Sequence, residues 1–174
     1  MNLNYKKTAK LILLLISTLL IAAASAATYK FMYIDCSITP TGAKMIWIEG
    51  ADAPADTTIS GSTVQLDLDV TEGTPTNFSD VLYLKNVNAS GSFNYYFNVT
   101  TAVSSSDFQR ALMHIYENYT TPGTWTFLDT LDLTSVSDFY QGSLAATYYL
   151  EMRFEVNATN TAGPYNFDIQ LRYW

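Results

Sequence analysis

An all-β sandwich is the fold class this chain predicts, on three observations. Apolar and polar residues alternate with period two through most of residues 27–174. Clusters of Pro, Gly, Asp, Ser and Thr ("GADAPADTT", "TEGTPTN", "NASG", "TTPGT", "NTAGP") punctuate that alternation. Apolar residues at helical spacing are scarce, and only "SSSDFQRALM" offers one helical turn, with Ser106 or Asp107 as its cap.

The chain opens with a different pattern. Lys6, Lys7 and Lys10 precede the apolar run "LILLLISTLLIAAA", which ends in Ala24-Ser25-Ala26. That is the layout of a secretory signal peptide over residues 1–26, cut after Ala26, and it places the protein outside the cell. The run is under the roughly 20 residues a retained spanning helix needs, so no membrane anchor is expected after cleavage. Removing it takes three of the nine basic residues and none of the sixteen acidic ones, leaving a net charge near −10. A surface so acidic excludes nucleic acid as a partner, because phosphate binding wants a basic face.

Next comes "ATYKFMYID", residues 27–35, a strand apolar on both faces. Tyr29, Phe31 and Tyr33 point one way, Met32 and Ile34 the other, with Lys30 as the charge on that side before Asp35. An exposed first strand would alternate with polar residues. Residues 36–174 form the sandwich domain. Cys36, the only cysteine, forms no intrachain disulfide and reads as a small buried hydrophobe or an intersubunit link.

Eight further segments carry strand patterns. "KMIWIE" (44–49) and "TVQLDLDV" (63–70) come first, the second with Leu66, Leu68 and Val70 on one face. "DVLYLKNV" (80–87), "SFNYYFNVT" (92–100), "ALMHIYE" (111–117) and "TWTFLDTLDL" (124–133) follow. The alternation is cleanest at the end. "TYYLEMRFEVN" turns Tyr148, Leu150, Met152, Phe154 and Val156 inward, and "YNFDIQLRYW" turns Tyr165, Phe167, Ile169, Leu171 and Tyr173 inward. Eight or nine strands so spaced suggest a jelly-roll-like antiparallel sandwich.

Catalytic chemistry is thin. His114 is the only histidine and lies among apolar neighbours, which suits a structural role better than a triad. No zinc, P-loop or dinucleotide motif occurs, so no catalytic residue, cofactor or metal is assigned and the chain is not expected to be an enzyme. Asp67 with Asp69, and Asp129 with Asp132 and Asp138, could face calcium, yet they lack EF-hand spacing and solvated acidic faces are commoner. Five N-x-[ST] sequons, at Asn77, Asn88, Asn98, Asn118 and Asn157, are glycosylation candidates on a secreted surface.

"ISGSTVQLDLDV", "TNFSDVLYLKNVNASGSFNYYFNV" and "YYLEMRFEVN…YNFDIQLRYW" together resemble the TasA/camelysin family of secreted biofilm-matrix fibre proteins, and more closely its archaeal relatives, the bundling pili. The resemblance covers roughly residues 59–103 and 143–174 and is one of strand types. It implies a jelly-roll subunit in a head-to-tail homopolymer, grown by donor-strand complementation, with possible lateral contacts between filaments. The donated residues would be Ala27, Thr28, Tyr29, Lys30, Phe31, Met32, Tyr33 and Ile34. "CSITPTGAKMIWIEGADAP" departs from the family pattern and leaves open whether "ATYKFMYI" or "KMIWIE" is donated, and the acidic middle insertion of bacterial members is absent. Camelysin-like members are described as metallopeptidases, but with one histidine the zinc motif has no counterpart here. Strand donation would account for the two-sided apolar N-terminus, because a strand inside another subunit's sheet is paired along both edges. A different class also fits: a monomeric cell-surface or S-layer-associated module binding carbohydrate through exposed aromatics such as Trp125 and Trp174.

Overall fold

The computed structural model describes residues 45–60, 63–119, 123–159 and 165–174 fully, and residues 30–38 by their backbone. The signal segment, with Ala27, Thr28 and Tyr29, lies outside the described residues. Among the described residues eleven strands form two sheets: β1 (Lys30–Ile38), β2 (Met45–Glu49), β3 (Thr58–Ser60), β4 (Thr63–Val70), β5 (Thr76–Asn86), β6 (Phe93–Thr101), β7 (Phe108–Asn118), β8 (Thr126–Asp132), β9 (Phe139–Leu144), β10 (Tyr149–Ala158) and β11 (Tyr165–Tyr173). The first sheet runs β3-β4-β1-β11-β6-β9 and the second β2-β5-β10-β7-β8.

Alternation places the core between them. Val64, Leu66, Leu68 and Val70 of β4 face Leu150, Met152, Phe154 and Val156 of β10 across the sandwich, all buried. Tyr95, Phe97 and Val99 of β6 and Phe167, Ile169 and Leu171 of β11 complete the first sheet's inner rows. The all-β sandwich expected from the period-two pattern is the fold observed. Tyr148, Tyr165 and Tyr173, expected inward, sit half-buried where the strands leave the core.

Three details refine or correct the sequence expectation. The "SSSDFQRALM" stretch makes a single turn, with the Ser104 carbonyl accepting from Asp107 N at 3.0 Å and Phe108 N at 3.2 Å. It stops there because Phe108 buries its ring edge-on against Tyr165, 4.7 Å between centroids, and the chain extends from that anchor. Two edge strands, β3 and β9, were not legible: β3 is three residues long, and β9 has a glycine inside and buries only Leu144. Gly142 is needed there, since a Cβ would stand 2.6 Å from the Tyr95 hydroxyl. Finally, the sandwich is not wholly antiparallel, because β1 pairs parallel with β11. β4 and β11 run in opposite directions, so a strand lying between them must be parallel to one.

Candidate functional site

Of the two segments expected to be candidates for donation, β1 is paired on both sides, whereas β2 is an edge strand paired, among the described residues, only with β5. The register of β1 divides its residues into two rows. Met32, Ile34 and Cys36 stand opposite Leu68, Leu66 and Val64 of β4, and Ile34, Cys36 and Ile38 opposite Phe167, Ile169 and Leu171 of β11. Those six partners are all buried core residues. Phe31, Tyr33 and Asp35 stand opposite Asp69, Asp67 and Gln65, and Tyr33 and Asp35 also opposite Asn166 and Asp168. Thus Phe31 and Tyr33 align with carboxylates and amides. The ladder continues through Cys36, Ser37 and Ile38, beyond the segment ending at Asp35.

Asp67 is the electrostatic feature of this slot. Burial first, and then Asp56 and Asp69, push its carboxyl above the usual carboxylate range. Its Oδ1 is covered and has no hydrogen-bond partner among the described residues.

The second sheet carries a concavity of about 650 Å³ on its outer face, lined by residues of β2, β5 and β10 and by Trp125. It lies at a bulge: Met152 pairs with Leu82 and Phe154 with Phe78, so β5 holds extra residues opposite Arg153. Asp80, inside the bulge, adopts φ 55°, the left-handed region. Four contacts hold it there. Glu151 Oε1 accepts the Asp80 N–H at 3.0 Å, and the Asp80 carbonyl accepts Asp52 N at 2.9 Å. Asp80 Oδ1 accepts the Tyr83 hydroxyl and, at 3.2 Å, Ala51 N. Gly50 permits the approach, because a Cβ on it would overlap the Asp80 carbonyl.

Glu151 also accepts from Arg153 Nη2 at 2.7 Å, which raises the arginine's pKa further. The Tyr83 phenol is pushed above its ordinary value by burial, then by its bond to Asp80. Tyr83 stacks on Trp125 at 5.6 Å and 20°. Trp125 precedes the edge strand β8, three places from β5 in the sheet, so the stack joins distant strands over the outer face. Glu151, in a row that alternation gives to water, is only 2% exposed, with Asp80 and Arg153 against its carboxylate and Trp125 in the same lining. No sequence signal marked Asp80, Tyr83, Glu151 or Arg153, because a bulge and a covering indole are tertiary features. Trp174, 65% exposed, prolongs β11 of the other sheet, so the structure does not bring it together with Trp125.

The sequons differ in access. Asn77 is exposed on β5; Asn88, Asn98, Asn118 and Asn157 are half-buried. Asn157 Nδ2 donates to Gln109 Oε1 at 2.7 Å, and Asn88 Oδ1 accepts from Ser90 N at 3.3 Å. Asp132 and Asp138 do come together, but their oxygens accept backbone N–H groups: Asp138 Oδ2 from Asp132 N at 2.6 Å and Asp132 Oδ1 from Thr134 N at 2.9 Å. Asp129 accepts from Thr130 N. Among the described residues no three His, Cys, Asp or Glu side chains are grouped to hold a metal. His114 bonds Thr130 Oγ1 at 2.7 Å through Nδ1 and lies 3.3 Å from Glu155 Oε2 through Nε2.

No protein-family model matches the chain, and no curated protein matches it in sequence.

Proposed function

We propose that the protein is a structural subunit of an extracellular filament, secreted through a cleaved signal peptide and related to the TasA/camelysin fibres and archaeal bundling pili. In this reading the slot between β4 and β11 receives the N-terminal strand of a neighbouring copy, and polymerisation is head to tail.

The observation that carries the reading is the place of β1. Setting aside β1 and the edge strands β2 and β3, β4, β11, β6 and β9 lie on one side of the sandwich and β5, β10, β7 and β8 on the other. This order supports the jelly-roll reading, in which eight consecutive strands close except for a gap between the first and the last. Two strand spacings, roughly 10 Å, separate β4 from β11, and β1 is the strand that fills them. Being N-terminal, it can be withdrawn from one slot and offered to another without unthreading the rest of the chain. Six residues, 39–44, join it to β2. Their seven Cα steps reach about 25 Å at most, so neighbouring subunits would pack closely along the fibre.

Electron microscopy of the secreted chain, with and without residues 27–38, tests this. Filaments are expected from the intact chain alone. The shortened chain should take up a synthetic 27–38 peptide and remain a single particle, since the peptide tethers nothing. Filaments from the shortened chain, or dispersed monomers from the intact chain at high concentration, would overturn the reading.

A further inference from the structure

We propose that the concavity at the Asp80 bulge binds a neutral sugar ring of an extracellular glycan. This site lies on the second sheet, away from the β1 slot in the first, so it does not depend on how the subunits polymerise.

Three observations converge on it. The first is that the site is built at a structural cost. Asp80 is a non-glycine residue in the left-handed region, held there by Glu151, Asp52 and Ala51 beside a glycine that tolerates no Cβ. A bulge re-aims a side chain, and strain of this sort persists where the surroundings over-determine it. The side chain so aimed is a carboxylate. Its Oδ1 is engaged by Tyr83 and Ala51, and its Oδ2 makes no hydrogen bond among the described residues.

The second is the mixture of surfaces. Trp125, Tyr83 and Tyr149 supply aromatic wall, and Ser79, Asp80, Glu151 and Arg153 supply polar groups within the same lining. A pyranose presents one face of slightly positive C–H groups and an equatorial rim of hydroxyls. The negative face of an aromatic ring suits the first, and carboxylates with a guanidinium suit the second. An apolar ligand would leave the polar groups facing nothing.

The third is charge. Glu49, Asp80 and Glu151 against Arg153 give the lining an acidic excess, which repels uronates, phosphates and sulfates. A cationic ligand is disfavoured in turn, because Glu151 already holds Arg153 and the Tyr149 ring already carries Lys85, its Nζ 4.7 Å from the centroid. A neutral, hydroxyl-rich ring is what remains. A half-exposed aromatic platform of this kind predicts weak single-ring binding, with a Kd of about 10⁻³ M or somewhat tighter, multiplied by avidity if the copies are arrayed along a fibre.

Isothermal titration of the full secreted chain with cellohexaose, mannohexaose, hexagalacturonate and hexalysine tests the assignment. At least one neutral hexasaccharide should bind and hexagalacturonate should not. Trp125→Ala should weaken that binding tenfold or more, and so should Asp80→Asn, which keeps the left-handed backbone and Oδ1 while turning Oδ2 into a donor. Phe139→Ala, removing an exposed ring on the other sheet, should leave it unchanged. Circular dichroism establishes that each variant is folded before titration. Absence of neutral-sugar binding up to about 10 mM, undiminished binding in either site variant, or tighter binding of hexalysine would overturn the proposal.

Discussion

Glu151 accepts the backbone N–H of Asp80 at 3.0 Å, from a strand position that alternation assigns to water. One carboxylate thereby holds both the bulge of β5 and the Arg153 guanidinium. Replacing it leaves a partly buried N–H and a partly buried charge without this acceptor.

Glu151→Ala should therefore cost about 2–3 kcal/mol, at or just below the roughly 3–5 kcal/mol of a fully buried pair, because Arg153 is 31% exposed. Urea unfolding monitored by fluorescence measures this. A loss below about 0.5 kcal/mol, the scale of a surface pair, would mean that the bulge stands without Glu151.

Gly50→Ala tests the other side of the bulge. The added methyl meets backbone, namely the Asp80 carbonyl, which no rotamer change relieves. A destabilisation of about 1–3 kcal/mol is expected from overpacking, with the loss of the Gly50 N to Val81 O bond, 2.9 Å long, adding to it. Unchanged thermal stability would show that the turn at 50–53 can move freely.

The two rows of β1 should respond differently to substitution. Ile34 stands opposite Leu66 and Phe167, both fully buried, so Ile34→Asp would set a charge in register with core rows at a cost above about 3 kcal/mol. Tyr33→Ser, opposite Asp67 and Asn166, should be tolerated. Filament yield by microscopy should fall to nothing in the first and persist in the second; equal loss in both would contradict the register.

Two carboxylates should give opposite pH profiles. The Glu155 carboxyl is held below its ordinary 4.5, chiefly by Arg110 and also by His114. Its contribution is present above 4.5 and lost as pH falls through the lower folded value, so Glu155→Gln should destabilise at pH 7 and become neutral in acid. Asp67 is raised above its ordinary 3.8, chiefly by burial. Its charged form is the disfavoured one, so its own contribution is most favourable below 3.8 and declines as pH rises from there through the folded value. Asp67→Asn should raise Tm at pH 7 and lose that advantage below 3.8. Parallel rather than opposed profiles would refute the assignment.

Among the sequons, Asn77 should carry sugar most fully, since its side chain is exposed while the Asn157 amide nitrogen is occupied by Gln109. Intact-mass spectra of Asn77→Gln should lose the largest glycan increment, and those of Asn157→Gln little. The reverse order would show that modification precedes folding of these strands.

The sequence by itself determined the strand content and the core, because the two faces of a strand are written in alternate residues: spacing alone sets Leu66 and Leu68 of β4 on one face and turns Phe167 and Ile169 of β11 inward, and all four are buried. It also located the N-terminal strand, but not what lies beside it. Only the tertiary structure decided that β1 stands between β4 and β11, and that Phe31 and Tyr33 fall in the row of Asp69 and Asp67. Partners in a sheet come from distant chain segments, and no local pattern encodes which edge a strand meets. The bulge at Asp80 and the indole of Trp125 lying across the strands to Tyr83 were hidden for the same reason. Period-two alternation reports burial against the opposite sheet, and it carries no trace of a side chain that folds over the outer face.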